Sequence, residues 1–299
     1  MKQLAIIGST ASGKSNLALD LAQSCNAVIL SIDSLSIYSK INIASAKPSP
    51  DELQLVRHFG IDVLEPNQTA SVFTFIEEYT QASIYAQQHH KNLIIVGGSS
   101  FYLKSMIDGL SSIPVITQSV REETAVWLED LEKAYRFLND IDPSTMSAIM
   151  KSDRYRIEKM LHLYLQTKVP PSKWFEMNPP TSVITQCPIL NIDIERGYLR
   201  ERIALRTQKM IVDGLIDEVA ECEQLYGRTP NSMKAIGMIE TLDYLDGKCT
   251  KEELAQLIST HTAQLAKRQQ TFNSHQFTLS AHKSIQELYP IAKALLHQS

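Results

Sequence analysis

The 299-residue sequence has little with which to build a metal centre or a disulfide frame. Its four cysteines, Cys25, Cys187, Cys222 and Cys249, lie far apart and include no Cys-x-x-Cys pair. That excludes a zinc ribbon and a disulfide-stapled fold. The eight histidines form no metal-ligand spacing, and His89-His90 falls at a polar helix end. No apolar run approaches the eighteen residues of a membrane span, and Met1-Lys2-Gln3 leads straight into a strand pattern without a signal-type stretch. A cytoplasmic protein without a membrane segment is the expectation. There is no internal repeat and no low-complexity tract. A net charge of −4 disfavours a nucleic-acid partner by charge alone, although a basic stripe can coexist with an acidic total.

What is present is a large apolar fraction, 43%, and the stretch Gly8-Ser9-Thr10-Ala11-Ser12-Gly13-Lys14-Ser15. This matches the phosphate-binding loop pattern, and it stands between an apolar strand run at 4–7 and a helical pattern through Leu17, Leu21 and Ala22. Gly8 and Gly13 let the backbone curl so that its N–H groups point inward, where the following helix also directs its positive end. Lys14 adds a full charge, and the Ser15 hydroxyl can hold Mg²⁺. By itself the loop implies a bound di- or triphosphate and nothing more.

Apolar β-rich runs recur at 4–7, 27–32, 61–64, 93–96 and 189–194, with helical patterns between several of them. The alternation predicts an α/β fold: a parallel sheet core flanked by helices, with ligand at the C-terminal strand ends. Helices are expected at 71–89 and 101–110. From Pro114 onward helical spacing continues without strands, and prolines at 143, 170, 171, 179, 180 and 188 punctuate and close the region. Residues 114–187 therefore read as an all-helical insertion into a core of 1–113 and 188–299. A long helix follows through Leu199, Ile203, Arg206 and Met210, to Gly214 or across a break there. Thr250 and Glu253 form a capping-box start for a helix to about 270, and 276–279 and 285–296 supply a last strand and helix.

Several further stretches carry chemistry. Ser31-Ile32-Asp33-Ser34-Leu35-Ser36-Ile37-Tyr38 leads to Ala46-Lys47-Pro48, and Val96-Gly97-Gly98-Ser99-Ser100-Phe101-Tyr102 ends a buried strand. Arg196, Leu199, Arg202-Ile203, Arg206 and Met210 form a spaced arginine pattern, and Leu265-Ala266-Lys267-Arg268-Gln269 a short C-terminal signature. Together with the loop, in this order and over most of the chain, they resemble the bacterial and organellar tRNA dimethylallyltransferases, also called tRNA isopentenyltransferases. The departures at Ser9 and Ser99 are mild, and that at Met238-Ile239 implies the loss of one tRNA contact. Ser9 stands for a usual Pro, Ser99 for Thr, Ile43-Ala44-Ser45 for Ile-Gly-Thr, Met238-Ile239 for a Tyr and a basic residue, and Lys168-Val169 for the Thr-Gly-Lys usage of the insertion.

The resemblance implies transfer of a dimethylallyl group from dimethylallyl diphosphate to the N6 of adenosine 37 of tRNA, immediately 3′ of the anticodon. Because the N6 lone pair is delocalised into the purine, the amine needs a base as it attacks. Asp33 takes that role by resemblance; by position alone, an Asp after a second strand could equally hold Mg²⁺ through water or bind substrate. The leaving diphosphate needs its charge neutralised in place. The loop residues 8–15 and Mg²⁺ at Ser15 serve this, and the resemblance adds Ser99, Arg206 and Arg202, the two arginines lying on one helix face. It places Lys47 near the phosphates or the tRNA; otherwise Lys47 is a solvated loop lysine. Asp33, Ser34, Leu35, Ser36 and Ser99 would bind the extruded base. Arg121, Tyr155, Arg156 and Lys159 in the insertion, with Lys234 and Gly237, would grip the anticodon stem-loop, Lys151 and Arg154 adding local positive charge. Tyr102 and Tyr155 read as stacking aromatics or plain packing residues. A monomer is expected. The rival readings are a phosphate-loop small-molecule kinase, with the insertion as its lid, and a nucleotide-switched RNA-binding module.

Overall fold

The computed structural model describes residues 1–297. The chain divides into two compact units, Met1–Ile107 with Ile184–Ser299, and Asp108–Val183. In the first unit the chain runs through β1 (Gln3–Ile7), α1 (Lys14–Ser24), β2 (Ala27–Ser31), α2 (Pro50–Leu55), β3 (His58–Phe59), α3 (Val72–Gln88), β4 (Asn92–Gly97) and α4 (Ser100–Asp108). The second unit carries α5 (Gln118–Trp127), α6 (Leu131–Ile141), α7 (Pro143–Met146), α8 (Arg154–Thr167) and α9 (Pro171–Met177). The first then resumes with β5 (Ile189–Ile192), α10 (Arg196–Val212), α11 (Leu215–Tyr226), a 3₁₀ turn at Asn231–Lys234, α12 (Met238–Leu245), α13 (Lys251–Gln276), β6 (Ala281–Lys283) and α14 (Ile285–His297).

The sheet order is β3-β2-β4-β1-β5-β6, and every pairing is parallel. Parallel strands covered on both faces read as unbroken apolar runs, which is why Leu4 to Ile7 and Leu93 to Val96 are wholly buried. Leu17, Leu21 and Ala22 of α1 and Leu288, Ala292 and Leu296 of α14 pack against Leu4, Ile6, Ile94 and Leu190 of the sheet. Each fully buried aliphatic side chain contributes about 1.5–3 kcal/mol. Because β2, β4 and β1 are neighbours, the turns that leave their C-terminal ends open side by side.

In the second unit Val120, Leu128, Leu138, Met146, Ile157 and Leu161 form a separate core, with Trp127 stacked on Phe137 at 4.3 Å. Asp130 and Asp153 cap α6 and α8, each accepting a backbone N–H of its first turn. This unit starts ahead of the expected residue 114 and stops short of 187. Leu110 and Thr181 pair as an antiparallel bridge within it, while the Ile184 N–H already bonds to the Met106 carbonyl of the first unit.

Four expected elements need correction. The run 61–64 is not a strand: β3 is the pair His58–Phe59, and Gly60 leaves it at φ +73°, its N–H donated to the buried Glu78 carboxylate. Only Leu64 of that run bridges back, to Tyr38. The fifth run stops at Ile192, because Glu195 turns to cap α10 by accepting the Gly197 and Tyr198 N–H groups. The last strand is Ala281–Lys283 rather than 276–279. The Thr250–Glu253 capping box forms as expected, but α13 runs on to Gln276 past the buried Asn273, whose amide donates to Asn191 Oδ1 at 3.3 Å.

Candidate active site

The phosphate loop leaves β1 with Ala11 at φ +62° and Gly13 at φ +93°, so the backbone curls before α1 begins at Lys14. Lys14 Nζ donates to the Ser9 carbonyl at 3.2 Å. Two arginines of α10 hold the loop from the other side. Arg202 Nε donates to the Ala11 carbonyl at 2.8 Å, and Arg206 Nη1 to Thr10 Oγ1 at 3.1 Å. Burial pushes the Lys14 ammonium down to about 8; the Asp33 carboxylate opposes this and the Arg206 guanidinium adds to it. Burial also lowers Arg206, against the same Asp33 charge. Asp33, Lys14 and Arg206 thus feel one another electrostatically at the mouths of β1 and β2.

Asp33 follows β2, and its Oδ1 accepts the N–H groups of Leu35 at 2.9 Å and Ser36 at 3.1 Å. This Asx turn fixes the carboxylate and leaves Oδ2 without a hydrogen-bond partner among the described residues. Ser99, after β4, accepts the Ser34 N–H at 3.2 Å, tying the two strand ends together. Two cavities meet at these groups. One, of about 240 Å³, is polar and is lined by Ser15, Ser31 and Ser45. The other, of about 520 Å³, has walls that include Tyr102, Ile203, Met210, Ile258 and Leu265. Thr10, Lys14, Asp33 and Arg206 line both. Tyr102 stacks on Phe75 at 4.0 Å, and burial, then the Tyr38 and Asp33 charges, raises its hydroxyl.

For a cation, the donors beside the loop are the Ser15 hydroxyl and, on the same cavity, the Asp33 carboxylate. No group of three or more His, Cys, Asp or Glu side chains suits a metal among the described residues. Such a sparse oxygen set fits Mg²⁺, which keeps water and substrate phosphate oxygens as its main ligands, and does not fit zinc.

The other expected residues are distributed as follows. Lys234 lines the larger cavity beside Ser34 and Leu35. Gly237 is buried, with its N–H donated to Glu240 Oε2 and its carbonyl accepting from Thr241, so it shapes its segment and presents no free polar group. Lys47 is not solvated: its side chain is 4% exposed, and Nζ donates to the Tyr38 carbonyl, Asn42 Oδ1 and Asp62 Oδ1. In the helical unit Arg121, Tyr155, Arg156 and Lys159 are exposed, with Lys159 Nζ over the Tyr155 ring at 5.2 Å. Burial lowers His162 between them; the Glu158 charge opposes that, and Lys159 and Arg121 reinforce it. Arg154 is committed to the Leu128 carbonyl.

Two residues take larger parts than the sequence suggested. Gln269 of α13 accepts the Thr10 N–H at 2.8 Å and donates to the Gly98 carbonyl at 3.0 Å, joining the phosphate loop to the end of β4. Its only sequence signal was membership in the short C-terminal signature. Glu218 of α11 accepts the N–H groups of Asn42, Ile43 and Ala44 at 2.7–2.9 Å. An acidic residue in a first helical turn ordinarily reads as a dipole partner, which hides this role.

Residues 36–276 match the family model described as IPP transferase. The tRNA dimethylallyltransferase of Sulfurimonas denitrificans is 50% identical over 296 residues, 99% of this chain and 100% of that one. That of a Sulfurovum species is 48% identical over 97% of each. Among solved structures, the full-length tRNA isopentenylpyrophosphate transferase of Bacillus halodurans aligns with a TM-score of 0.71 at 26% identity, covering 99% of this chain and 96% of that chain. A eukaryotic dimethylallyltransferase acting on tRNA aligns at 0.80 over 91% of this chain and 70% of that one; at 24% identity this is a likeness of fold alone.

Proposed function

The chain belongs to the IPP transferase family, and from that premise we propose that it moves a dimethylallyl group from dimethylallyl diphosphate to N6 of tRNA adenosine 37. The observation that carries this reading is the place of Asp33. It lines both a polar cavity at the phosphate loop and a larger, aromatic and aliphatic one, and one of its carboxylate oxygens is left free.

In the proposed reaction the diphosphate lies on the loop, against Lys14, Arg202 and Arg206, and the adenine, extruded from its stack, lies in the larger cavity between the Asp33–Ser36 turn and Ser99. N6 attacks the allylic carbon as the carbon–oxygen bond to the diphosphate breaks. Asp33 Oδ2 takes the N6 proton, and the bonding electrons leave with the diphosphate. Lys14, Arg206 and the loop amides offset the charge that develops there, and the apolar walls keep water from the allylic centre. Mg²⁺, when bound at Ser15, would neutralise further diphosphate charge. Arg121, Tyr155, Arg156 and Lys159 of the helical unit would contact the backbone of the anticodon stem-loop, and Lys234 the strand that enters the cavity.

The working form proposed is the monomer. No described helix is long and apolar enough to cross a membrane. The setting proposed is the cytoplasm, where unmodified tRNA is available.

The test is transfer of label from radiolabelled dimethylallyl diphosphate to unmodified tRNA with an adenosine 3′ of its anticodon, for wild type and Asp33→Asn. Labelled tRNA with wild type and a loss of roughly 10²–10⁴ in kcat with the variant are expected. No label with wild type, together with ATP consumption on a small acceptor, sinks the reading and favours a kinase.

A further inference from the structure

The larger cavity contains a second polar side chain that the fold leaves free besides Asp33. Tyr102 lines it together with Asp33, Ser34 and Ser99, and its hydroxyl has no hydrogen-bond partner among the described residues. The nearby Tyr38 differs, since its hydroxyl accepts the Ala70 N–H at 3.2 Å. The Tyr102 ring is held on two sides. Its N–H, in the first turn of α4, donates to the Ser99 carbonyl at 3.0 Å, and its ring lies on the fully buried Phe75 of α3, with centroids 4.0 Å apart and planes 26° from parallel. Phe101 meets it edge-on at 6.0 Å. A phenylalanine would serve this stack equally well. Packing therefore accounts for an aromatic ring at position 102, but not for a hydroxyl that no protein group receives.

Burial, then the Tyr38 and Asp33 charges, raises that hydroxyl, so it keeps its proton at neutral pH and is available as a donor. The cavity thus offers a free acceptor, Asp33 Oδ2, and a free donor, Tyr102, within electrostatic reach of each other. Adenine carries the complement of this pair on two of its edges. On each, the N6 amine donates and the ring nitrogen beside it, N1 or N7, accepts. Guanine puts the acceptor O6 where adenine has N6, and would set it against the Asp33 carboxylate.

We infer that Tyr102 reads the base: its hydroxyl donates to the ring nitrogen beside N6 and so sets the adenine with N6 at Asp33 Oδ2. The inference rests on the prenyl-transfer reading, because it takes adenine as the occupant of the larger cavity. Tyr102 exchanges no proton in the reaction and does not touch the diphosphate. It acts by orientation, holding the attacking nitrogen in line with the allylic carbon and with its base, where a small rotation of the ring would separate them.

The experiment is a double-mutant cycle between protein and substrate. Transfer from dimethylallyl diphosphate is measured for wild type and Tyr102→Phe, on otherwise unmodified tRNA carrying adenosine, 1-deazaadenosine or 7-deazaadenosine at position 37. Tyr102→Phe keeps the stack on Phe75 and should melt with wild type. On adenosine it should lose on the order of ten- to a hundredfold in kcat/KM for tRNA, at unchanged KM for dimethylallyl diphosphate. On the analogue that lacks the bonded nitrogen the advantage of wild type over the variant should fall to near one, and on the other analogue it should persist. Any change in N6 reactivity affects both proteins alike and cancels in that ratio. The analogue that erases the advantage identifies the edge, N1 or N7. An advantage that persists on both analogues, or a variant equal to wild type on adenosine, overturns the inference while transfer by wild type stands. A raised diphosphate KM at unchanged kinetics toward tRNA also overturns it, and assigns the hydroxyl to the donor. A wild-type protein that transfers nothing to the adenosine tRNA removes the function reading and the role of Tyr102 together.

Discussion

Arg206 Nη1 donates to Thr10 Oγ1 at 3.1 Å, so a helix that begins close to residue 200 is fastened to a loop at the start of the chain. The bond holds a buried guanidinium beside Lys14 and Asp33, where diphosphate charge would develop. A lysine could supply charge there but not the planar fork that reaches the hydroxyl and the ligand together. Arg206→Lys should therefore lower kcat by about 10²-fold or more. Thr10→Val removes one hydrogen bond from a charged donor, worth about 1.5–3 kcal/mol, and should cost on the order of ten- to a hundredfold. Steady-state kinetics on both variants check this, and a wild-type kcat for Arg206→Lys would exclude Arg206 from charge stabilisation.

The lowered Lys14 makes binding and stability pH-dependent in opposite senses. In the free protein Lys14 keeps its proton below a pKa of about 8, whereas an unperturbed lysine keeps it to 10.5. Between those values the unfolded chain binds more protons than the folded one, so this group makes the free protein more stable as pH rises through the window. A diphosphate on the loop favours the ammonium, so binding above about pH 8 must take up a proton and weaken with pH. Calorimetric titration with inorganic pyrophosphate near pH 9, in two buffers of different ionisation heat, should show net proton uptake. Lys14→Met should abolish that uptake and raise the melting temperature of the free protein. Equal heats in both buffers for wild type would rule the coupling out.

The phosphate loop and Asp33 were legible in the sequence because their signals are local: a short pattern after one strand and an acid at the end of the next. The parallel sheet was legible from its unbroken apolar runs. β3 was not, because it is two residues long and ends at Gly60, whose tie is to Glu78 on α3. The end of α13 was misjudged because the Asn273–Asn191 bond that accompanies its last turns joins residues far apart in sequence. Gln269 and Glu218 were hidden for the same reason. Each acts on a segment more than 170 positions away; the short signature around Gln269 marks the stretch but not this role, and nothing beside Glu218 marks it at all. Lys47 read either as a neighbour of the phosphates or the tRNA or as a solvated loop lysine, and only the fold, which brings Tyr38, Asn42 and Asp62 around its ammonium, excludes the second.

Glu218 organises the segment after β2 by accepting three backbone N–H groups, two on Oε2 and one on Oε1. Ala44 and Ser45, which continue that segment, line the larger cavity. In Glu218→Gln the amide oxygen can replace Oε2, but the NH₂ then faces the Ala44 N–H. One donor left without an acceptor costs about 1–3 kcal/mol. Urea unfolding should register that loss, and the KM for tRNA should rise while the affinity for pyrophosphate, held by the loop and α10, stays near wild type. Unchanged stability and KM would show that the segment holds itself.

Gly97 and Gly98 are adjacent, yet the same substitution should fail differently at each. A Cβ on Gly97 would lie 2.6 Å from Ile32 Cγ1 and 2.9 Å from the Ile32 carbonyl carbon, so relief requires β4 and the chain leaving β2 to part. Overpacking of this kind costs about 1–3 kcal/mol, and Gly97→Ala should appear mainly as lost stability. A Cβ on Gly98 would meet chiefly Gln269 Nε2, at 2.5 Å, the far end of a side chain that can turn away. Turning away breaks the bonds from the Thr10 N–H and to the Gly98 carbonyl, and so uncouples the phosphate loop from the end of β4. Gly98→Ala should then melt near the wild-type temperature and lose kcat. Gln269→Ala should reproduce that loss, and the double variant should be no worse than either single one, because all three remove the same bridge. Additive losses in the double variant would mean that Gly98 acts on the site by a route other than Gln269.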